Sequence, residues 1–212
     1  MSDLFYWYYV YIVKYFIGVD EAGRGALAGP VCVGTVFMPN TFDWQGAYAL
    51  VTRHGRPRLR DSKQLSAQQR DVLYEYITAH VALKYSFAFV DAQTIDEIGI
   101  VNAAHEAASV AVQSLGVSPL RVEVLLDAGL CVSGAWTQHS FVRGDETIPV
   151  IALASIVAKV ARDRFMEECA RSHTRYRFDE HKGYGTLAHR KAIRKYGVCP
   201  LHRRTFLSDI VS

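Results

Sequence analysis

Cysteine and proline are both scarce in this sequence. The four cysteines, Cys32, Cys131, Cys169 and Cys199, lie far apart and form no Cys-x-x-Cys pair. This spacing argues against a zinc knuckle and favours free thiols in a reducing compartment, so we expect a cytoplasmic location. The 212 residues include only six prolines. No Pro/Ser-rich linker, internal repeat or low-complexity tract divides them.

Hydrophobic runs of membrane-spanning length are also missing. The run Leu4–Val13, LFYWYYVYIV, is wholly apolar or aromatic but has ten residues, whereas a spanning helix needs about 20. It lacks the basic flank and the small-residue cleavage site of a signal peptide. We treat residues 1–14 as an aromatic N-terminal segment that forms an edge strand or a short helix packed on the domain or a partner. A role at a membrane surface is the alternative, and no membrane partner is expected.

Acidic residues are sparse in the C-terminal part of the chain. From Arg171 to Arg204, ten basic residues stand against Asp179 and Glu180, a local charge of +8, whereas residues 1–158 carry 11 basic and 15 acidic residues. Such polarity is typical of a nucleic-acid-binding flank beside an acidic pocket. A solvated helix surface is the alternative.

Hydrophobic periodicity predicts an α/β fold, with a mixed sheet flanked by helices and a helical C-terminal extension. A capping-box pattern, Ser66-x-x-Gln69, opens one helix, and Thr94-x-x-Glu97 is expected to cap a longer one. We predict one domain over residues 15–170, with residues 171–212 as its basic helical extension. The predicted strands cover residues 15–19, 31–38, 85–90 and 122–126, and two further helices cover 155–170 and 186–196.

Acidic residues occupy positions where burial makes a carboxylate costly. Asp20 ends a predicted apolar strand, Glu21 follows it, Asp127 ends another strand, and Asp163 lies beside the buried face of a predicted helix. If these groups converge, their repulsion and desolvation cost several kcal/mol unless cations compensate. Carboxylate oxygens without a His/Cys cluster select Mg²⁺ or Mn²⁺. Two such ions suit an in-line phosphoryl displacement.

The adjacency of Asp20 and Glu21 raises a geometric difficulty. Neighbouring residues of a regular strand point to opposite faces, so we expect the strand to end or bulge here. Structural alternatives also stand open. Asp127 could open a turn, and Asp163 could pair with Lys159 four residues earlier.

Six motifs, in order and over nearly the whole chain, resemble those of the ribonuclease HII family, the type 2 ribonucleases H. A single short match would be weak, but six in order are highly specific. The matching segments are IGVDEAGRGALAGPV (Ile17–Val31), DSKQL (Asp61–Leu65), LLDAG (Leu125–Gly129), ASIVAKVARDR (Ala154–Arg164), HKGYGT (His181–Thr186) and CPLHRRTF (Cys199–Phe206).

The resemblance implies a ribonuclease H-like fold and an endonuclease acting on RNA–DNA hybrids and on ribonucleotides embedded in duplex DNA. It implies Asp20, Glu21, Asp127 and Asp163 as the catalytic carboxylates, which bind two divalent ions, Mg²⁺ or Mn²⁺. Hydrolysis on the 5′ side of the ribonucleotide would leave 3′-hydroxyl and 5′-phosphate ends, as ribonucleotide excision repair requires. A monomer is expected, and a replication-clamp contact is open.

The resemblance also assigns substrate-binding residues. Gly23, Arg24 and Gly25 are similar to the loop that contacts the ribonucleotide 2′-hydroxyl, the group that distinguishes RNA from DNA. Tyr184 matches the tyrosine that packs on the following deoxyribose, Lys63 matches a backbone-contacting residue, and Lys182 is counted with them. Taken alone, the glycine loop could be an ordinary tight turn and Tyr184 a core aromatic.

Some positions depart from the family pattern. Ala26 stands where proline is usual, Ala128 where glycine is usual, and Glu146-Thr147 where Ala-Lys is expected. These departures concern substrate affinity more than chemistry. Three rival functions remain: a ribonuclease HIII, a proofreading-type exonuclease, and a hybrid-binding module without catalysis. The GRG loop argues against a ribonuclease HIII. The adjacency of Asp20 and Glu21, in place of an Asp-x-Glu pair, argues against the exonuclease, and the presence of all four acids argues against a module without catalysis.

Overall fold

A five-stranded mixed sheet forms the centre of the protein, which a computed structural model describes for residues 14–52, 59 and 62–211. The strands run in the order β3-β2-β1-β4-β5. β2 is antiparallel to β1 and to β3, whereas β4 is parallel to both β1 and β5. The predicted α/β mixed sheet is thus confirmed. The strands are β1 (Tyr15–Ala22), β2 (Val31–Pro39), β3 (Lys84–Val90), β4 (Val122–Asp127) and β5 (Thr137–Phe141).

Helices cover both faces of this sheet. The longest, α6, has 24 residues and packs across β1 and β2. The helices are α1 (Trp44–Ala49), α2 (Ala67–Ala79), α3 (Ala92–Ile98), α4 (Ile100–Ser114), α5 (Gly144–Thr147), α6 (Pro149–Ser172), α7 (Phe178–His181), α8 (Leu187–Tyr196) and α9 (Ser208–Val211), with 3₁₀ turns at Ser62–Gln64, Thr174–Tyr176 and Arg204–Phe206.

Two hydrophobic cores separate three layers. On one face, the alanine-rich side of α4 packs against the apolar residues of β1, β2 and β4, among them Val19 and Leu126. On the other face, α2 and α6 pack against residues that include Val36 and Leu125. Side chains alternate along a strand. Because Val19 faces α4, its neighbour Asp20 faces α6.

Glycines allow α6 to lie directly on the sheet. A Cβ atom on Gly18 would lie 2.1 Å from the carbonyl oxygen of Val150, and one on Gly34 would lie 2.4 Å from the backbone nitrogen of Ala158. Such distances leave no room for a side chain. The close approach brings the middle of α6 beside the ends of β1 and β4.

The helix starts predicted from sequence are right in part. Ser66 and Gln69 form the predicted capping box, and Thr186 caps α8 by accepting a hydrogen bond from the His189 amide. The prediction for Thr94 is wrong, because Asp91 is the cap and Gly99, at φ +80°, separates α3 from α4. Val101, in the first turn of α4 after this break, is exposed.

Other boundaries differ from the prediction as well. α6 starts at Pro149, six residues before the predicted start, and β5 was not predicted. β1 neither ends nor bulges at Asp20, because β2 continues to pair with it through Ala22, opposite Cys32. The aromatic run Leu4–Val13 and Asp61 of the DSKQL motif lie outside the described residues.

The described helices include none that is both long and apolar enough to cross a membrane.

Replacing Gly34 with alanine tests the close packing of α6. We expect the added methyl group to lower the free energy of unfolding by about 1–3 kcal/mol, because backbone atoms of α6 cannot move away cheaply. Urea denaturation measures the change. Gly25→Ala is the matched control, since a Cβ there meets no atom within 4 Å, and it should change stability by less than about 0.5 kcal/mol. Equal effects of the two substitutions would contradict this account.

Candidate active site

Asp20 and Asp127 meet at the ends of two neighbouring parallel strands. The pairing of β1 with β4 runs from Tyr15–Val122 to Val19–Leu126. The next residue of each strand is an aspartate, so the register places the two carboxylates side by side. Ligands gather at the carboxyl ends of strands in such sheets.

Glu21 joins these two acids without any bulge in the strand. One carboxylate oxygen from each of Asp20, Glu21 and Asp127 lies within 4.8 Å of the others. The Asp20 carboxylate folds back and accepts a hydrogen bond of 2.7 Å from the Glu21 amide. Neighbouring strand residues point to opposite faces, so the longer glutamate side chain reaches the same point from the other face.

Burial makes this cluster electrostatically unfavourable by itself. Desolvation raises the pKa of Asp20 well above its usual range, and the charges of Glu21, Asp127 and Asp145 raise it further. Desolvation also raises the pKa of Glu21, although the Arg24 guanidinium, 3.3 Å away, opposes that shift. Oε2 of Glu21 is buried and accepts no hydrogen bond from the described residues. An oxygen in this state suits a cation.

Asp145 is a fourth carboxylate that the sequence analysis missed. It lies in the first turn of the short helix α5 and is buried, and its charge contributes to the raised pKa of Asp20. The preceding Gly144 amide donates a 2.9 Å hydrogen bond to Oδ1 of Asp127, which ties α5 to the end of β4. A signal was present in the sequence: Asp145 comes four residues after β5, and Asp20 and Asp127 likewise lie at or near the ends of their strands.

Asp163, the predicted fourth ligand, is not brought into this cluster. Its Oδ1 accepts a 2.7 Å bond from Nζ of Lys159, and its Oδ2 lies 3.7 Å from a nitrogen of Arg70. The ion pair with Lys159, which was the structural alternative for Asp163, is present. The helical period correctly placed Asp163 beside the buried face, but it could not show that two cations would enclose the carboxylate.

The donors present fit divalent metal ions. Three carboxylates from β1 and β4 supply hard oxygen ligands, the type that Mg²⁺ and Mn²⁺ prefer, and the charge of Asp145 on α5 acts on the same cluster. The unsatisfied oxygen of Glu21 and the raised pKa values of Asp20 and Glu21 show a local excess of buried negative charge. Cations would relieve that excess.

A cleft of about 390 Å³ opens above the acids. It contains five of the six predicted substrate-binding residues. The sixth, Lys182, directs its ammonium group to Glu167, at 2.9 Å, and to the carbonyl of Asp179. The lining residues are Asp20, Glu21, Ala22, Gly23, Arg24, Gly25, Ser62, Lys63, Lys159 and Tyr184.

Two buried arginines fix the loops that border this cleft. Arg162 donates hydrogen bonds to the carbonyls of Ala28, Pro30 and Lys182, and its guanidinium lies 5.2 Å from the ring centroid of Tyr184. A Cβ on Gly23, which has φ +89°, would lie 1.9 Å from Nε of Arg162. Only glycine therefore fits at this position.

Arg203 holds the same loop from another side. It donates hydrogen bonds to the carbonyls of Arg24 and Gly29, and burial lowers its pKa to about 9. The loop carrying Gly23, Arg24 and Gly25 is thus fixed from below by Arg162 and Arg203, which come from α6 and the C-terminal motif.

A buried histidine cluster supports the turn that carries Tyr184. The Gly183 amide donates to Nδ1 of His181, and the ring of His189 hydrogen-bonds to the Tyr184 carbonyl at 3.0 Å. His189 and His202 are joined by a 3.1 Å contact between their rings. Burial lowers the pKa of both His189 and His202 to about 4. Neutral rings therefore hold Tyr184 at neutral pH.

Comparison with known proteins agrees with this geometry. The family model for ribonuclease HII matches residues 17–208. The ribonuclease HII of Endomicrobium trichonymphae is 42% identical over 198 residues, which cover 92% of this chain and 87% of that protein. The crystal structure of ribonuclease H2 from Pyrococcus horikoshii OT3 superposes with a TM-score of 0.70 at 26% identity, covering 93% of this chain and 97% of that one. The Bst-RNase HIII structure in complex with Mn²⁺ shares the fold, with a TM-score of 0.62 at 16% identity over 89% of this chain and 65% of its own.

The substitution Asp20→Asn tests the repulsion within the acid cluster. A raised pKa means that ionised Asp20 is disfavoured in the folded protein. Protonation of Asp20 therefore stabilises the folded protein. This contribution to the free energy of unfolding is complete below the ordinary aspartate pKa, about 3.9, and is lost as the pH rises through the raised pKa. In a chelating buffer at pH 7, Asp20→Asn should therefore unfold at a higher temperature than the wild type, with the gain shrinking toward pH 4.

Saturating Mn²⁺ should reverse the order, because the wild type then gains binding energy that the variant loses. Thermal unfolding followed by circular dichroism measures both conditions. Exposed Asp179 provides the control: Asp179→Asn should change stability by less than about 0.5 kcal/mol in either buffer. A variant less stable than the wild type in chelator at pH 7 would show that the cluster is not a source of repulsion.

Proposed function

The chain belongs to the ribonuclease HII family and is therefore a ribonuclease H that cleaves RNA–DNA hybrids, and from this premise we propose a more specific reaction. It cuts on the 5′ side of ribonucleotides embedded in duplex DNA, using two divalent ions, and leaves 3′-hydroxyl and 5′-phosphate ends. The observation that carries the proposal is the acid cluster at the base of a cleft whose rim holds the glycine loop and Tyr184.

The metal ligands in this proposal are Asp20, Glu21, Asp127 and Asp145. Asp145 replaces Asp163, because Asp145 is buried and electrostatically coupled to Asp20 whereas Asp163 is neutralised by Lys159 and Arg70. When bound, Mg²⁺ or Mn²⁺ would supply charge compensation and Lewis acidity at the scissile phosphate. The Mn²⁺ complex of Bst-RNase HIII, a protein of the same fold, supports this choice of ions.

The glycine loop is suited to reading a ribose through its backbone. The Arg24 side chain is engaged by Glu21, and the carbonyls of Gly23 and Arg24 accept hydrogen bonds from Ala26 and Arg203. The loop conformation is therefore set before substrate arrives, which lowers the ordering cost of binding. In our proposal Gly23, Arg24 and Gly25 contact the 2′-hydroxyl, the only group that separates RNA from DNA at this position.

Basic residues on α8 extend the proposed substrate surface. Arg190, Lys191, Arg194 and Lys195 are all exposed, because the helix buries His189 and Ile193 on its opposite side. Such side chains bind phosphates and confer affinity without sequence preference. In our proposal Lys63, which lines the cleft, contacts the nucleic-acid backbone, and Lys182 supports the cleft through its carbonyl, which accepts a hydrogen bond from Arg162. The monomeric state, a clamp contact and a cytoplasmic location stay predictions.

The defining experiment is cleavage of a DNA duplex that contains one ribonucleotide, with Mg²⁺ or Mn²⁺, beside an all-DNA duplex. We expect a single cut on the 5′ side of the ribonucleotide and no cut in the control. Asp145→Asn should lower kcat by on the order of 100-fold or more, since a lost metal ligand removes several kcal/mol of transition-state stabilisation.

Glu146→Gln is the matched control for Asp145→Asn. Glu146 is the next residue and an acid as well, but it is exposed and pairs with Arg143, so its removal should leave the rate unchanged. Binding of the duplex without metal-dependent cleavage by the wild type would favour the rival function, a hybrid-binding module. Wild-type rates in Asp145→Asn would remove this residue from the ligand set.

Tyr184 is expected to place the scissile phosphate by packing on the neighbouring deoxyribose. Tyr184→Ala should therefore cost more on a single embedded ribonucleotide than on a long RNA–DNA hybrid, where many registers are available. Tyr184→Phe keeps the ring and should keep the preference, and Tyr196→Ala removes an exposed tyrosine at the end of α8 as a control. The ratio of kcat/KM on the two substrates is the measurement, with circular dichroism to verify folding. An equal loss on both substrates would make Tyr184 a structural residue.

A further inference from the structure

Asp163 is the centre of a mostly buried charge network beside the cleft. Its two oxygens take two different cations, Lys159 at 2.7 Å and Arg70 at 3.7 Å, and the side chains of all three residues are 13–16% exposed. The ion pair Arg171–Glu168 at the end of the same helix is 79% and 69% exposed. Salt screens buried pairs far less than exposed ones. The Asp163 network is therefore able to fix side-chain positions.

The first cation, Lys159, belongs to the cleft. It lines the same cleft as Asp20 and Glu21, and its Nζ lies 5.8 Å from the ring centroid of Tyr184. One helical turn separates Lys159 from Asp163, so their bond aligns the lysine along α6. The ammonium group is thereby held in the wall of the cleft that Asp20 and Glu21 also line.

The second cation, Arg70, acts on the 3₁₀ turn Ser62–Gln64. Its Nη1 donates to the carbonyl of Ser62 at 3.0 Å and to the carbonyl of Leu65 at 2.6 Å. These carbonyls lie at the two ends of the turn that carries Lys63 into the cleft. Through Arg70, Asp163 on α6 is thus connected to a segment from a different part of the chain.

We propose that Asp163 is a positioning residue, which sets Lys159 and the Lys63-bearing turn as two cations on one wall of the cleft. Together they bind the backbone phosphates that flank the scissile bond. The inference rests on the proposed function, since it takes nucleic acid as the ligand of the cleft. It assigns to Asp163 an effect on substrate binding and none on metal binding.

Substitution of Asp163 with asparagine keeps the shape and removes the charge that holds both cations. For Asp163→Asn we expect KM for the ribonucleotide-containing duplex to rise about tenfold with kcat within about threefold, the pattern of lost uniform binding. A merely structural ion pair would lower the fraction of folded enzyme, and hence kcat, without raising KM. Asp163→Glu, which restores the charge, should recover much of the wild-type KM.

Asp71→Asn is the matched control. Asp71 pairs with Arg164 between the same two helices, α2 and α6, but that pair is about half exposed, at 50% and 52%. Its loss should leave both KM and kcat unchanged. A rise in KM equal to that of Asp163→Asn would overturn the proposal, because any broken pair between these helices would then have the same effect.

Two measurements that need no cleavage separate this inference from the proposed function. Isothermal titration with Mn²⁺ should give wild-type affinity for Asp163→Asn and a large loss for Asp145→Asn. In Ca²⁺, Asp163→Asn and Lys159→Met should each lower the affinity for the duplex. The double variant should have the same affinity as the single variant that binds less tightly, because the two residues act as a unit. Loss of Mn²⁺ binding in Asp163→Asn, additive effects, or unchanged duplex binding would each overturn the positioning role.

Discussion

The repulsion among the buried carboxylates at the ends of β1 and β4 is the constraint around which this structure is arranged. The parallel register sets Asp20 beside Asp127, Glu21 reaches the same point, and α5 adds Asp145. Such a cluster does not stabilise the fold by itself, because each added charge raises the free-energy cost of ionising the other buried carboxylates. Two cations that line the cleft beside these acids have different partners: Arg24 contacts Glu21, whereas Lys159 pairs with Asp163. Cations bound among these carboxylates would offset their repulsion.

Rigidity around the acids comes from close backbone packing and from buried arginines. Gly18 and Gly34 let α6 lie on the strands that end in the acids, so the helix carrying Lys159, Arg162 and Asp163 has little freedom to shift. The neutral histidine cluster fixes the Tyr184 turn in the same manner. Sites held by such supports need little rearrangement on binding. The residues that line the cleft are thus held in place by elements far apart in sequence.

The sequence predicted most of the fold and much of the site, for physical reasons that differ between elements. Apolar runs located β1, β2, β3 and β4, and the capping box located α2, because these signals are local. The extension of β1 past Asp20 depends on its pairing with β2, and β5 has the exposed, polar pattern of an edge strand, so neither followed from local periodicity. Asp145 was missed because α5 has only four residues. The family resemblance assigned Asp163 as a ligand and the helical period placed it beside the buried face, but the approach of Arg70 from another helix could not be read from the sequence.

The way Arg162 and Arg203 make their contacts bears on how freely this protein can change during evolution. Both guanidinium groups bond to backbone carbonyls, those of Arg24, Ala28, Gly29, Pro30 and Lys182, and every amino acid supplies such a carbonyl. Side chains along these loops can therefore be exchanged without loss of the hydrogen bonds from Arg162 and Arg203, provided that the backbone conformation is kept. The two arginines themselves have no such latitude, and neither does Gly23, whose missing side chain makes room for one of them.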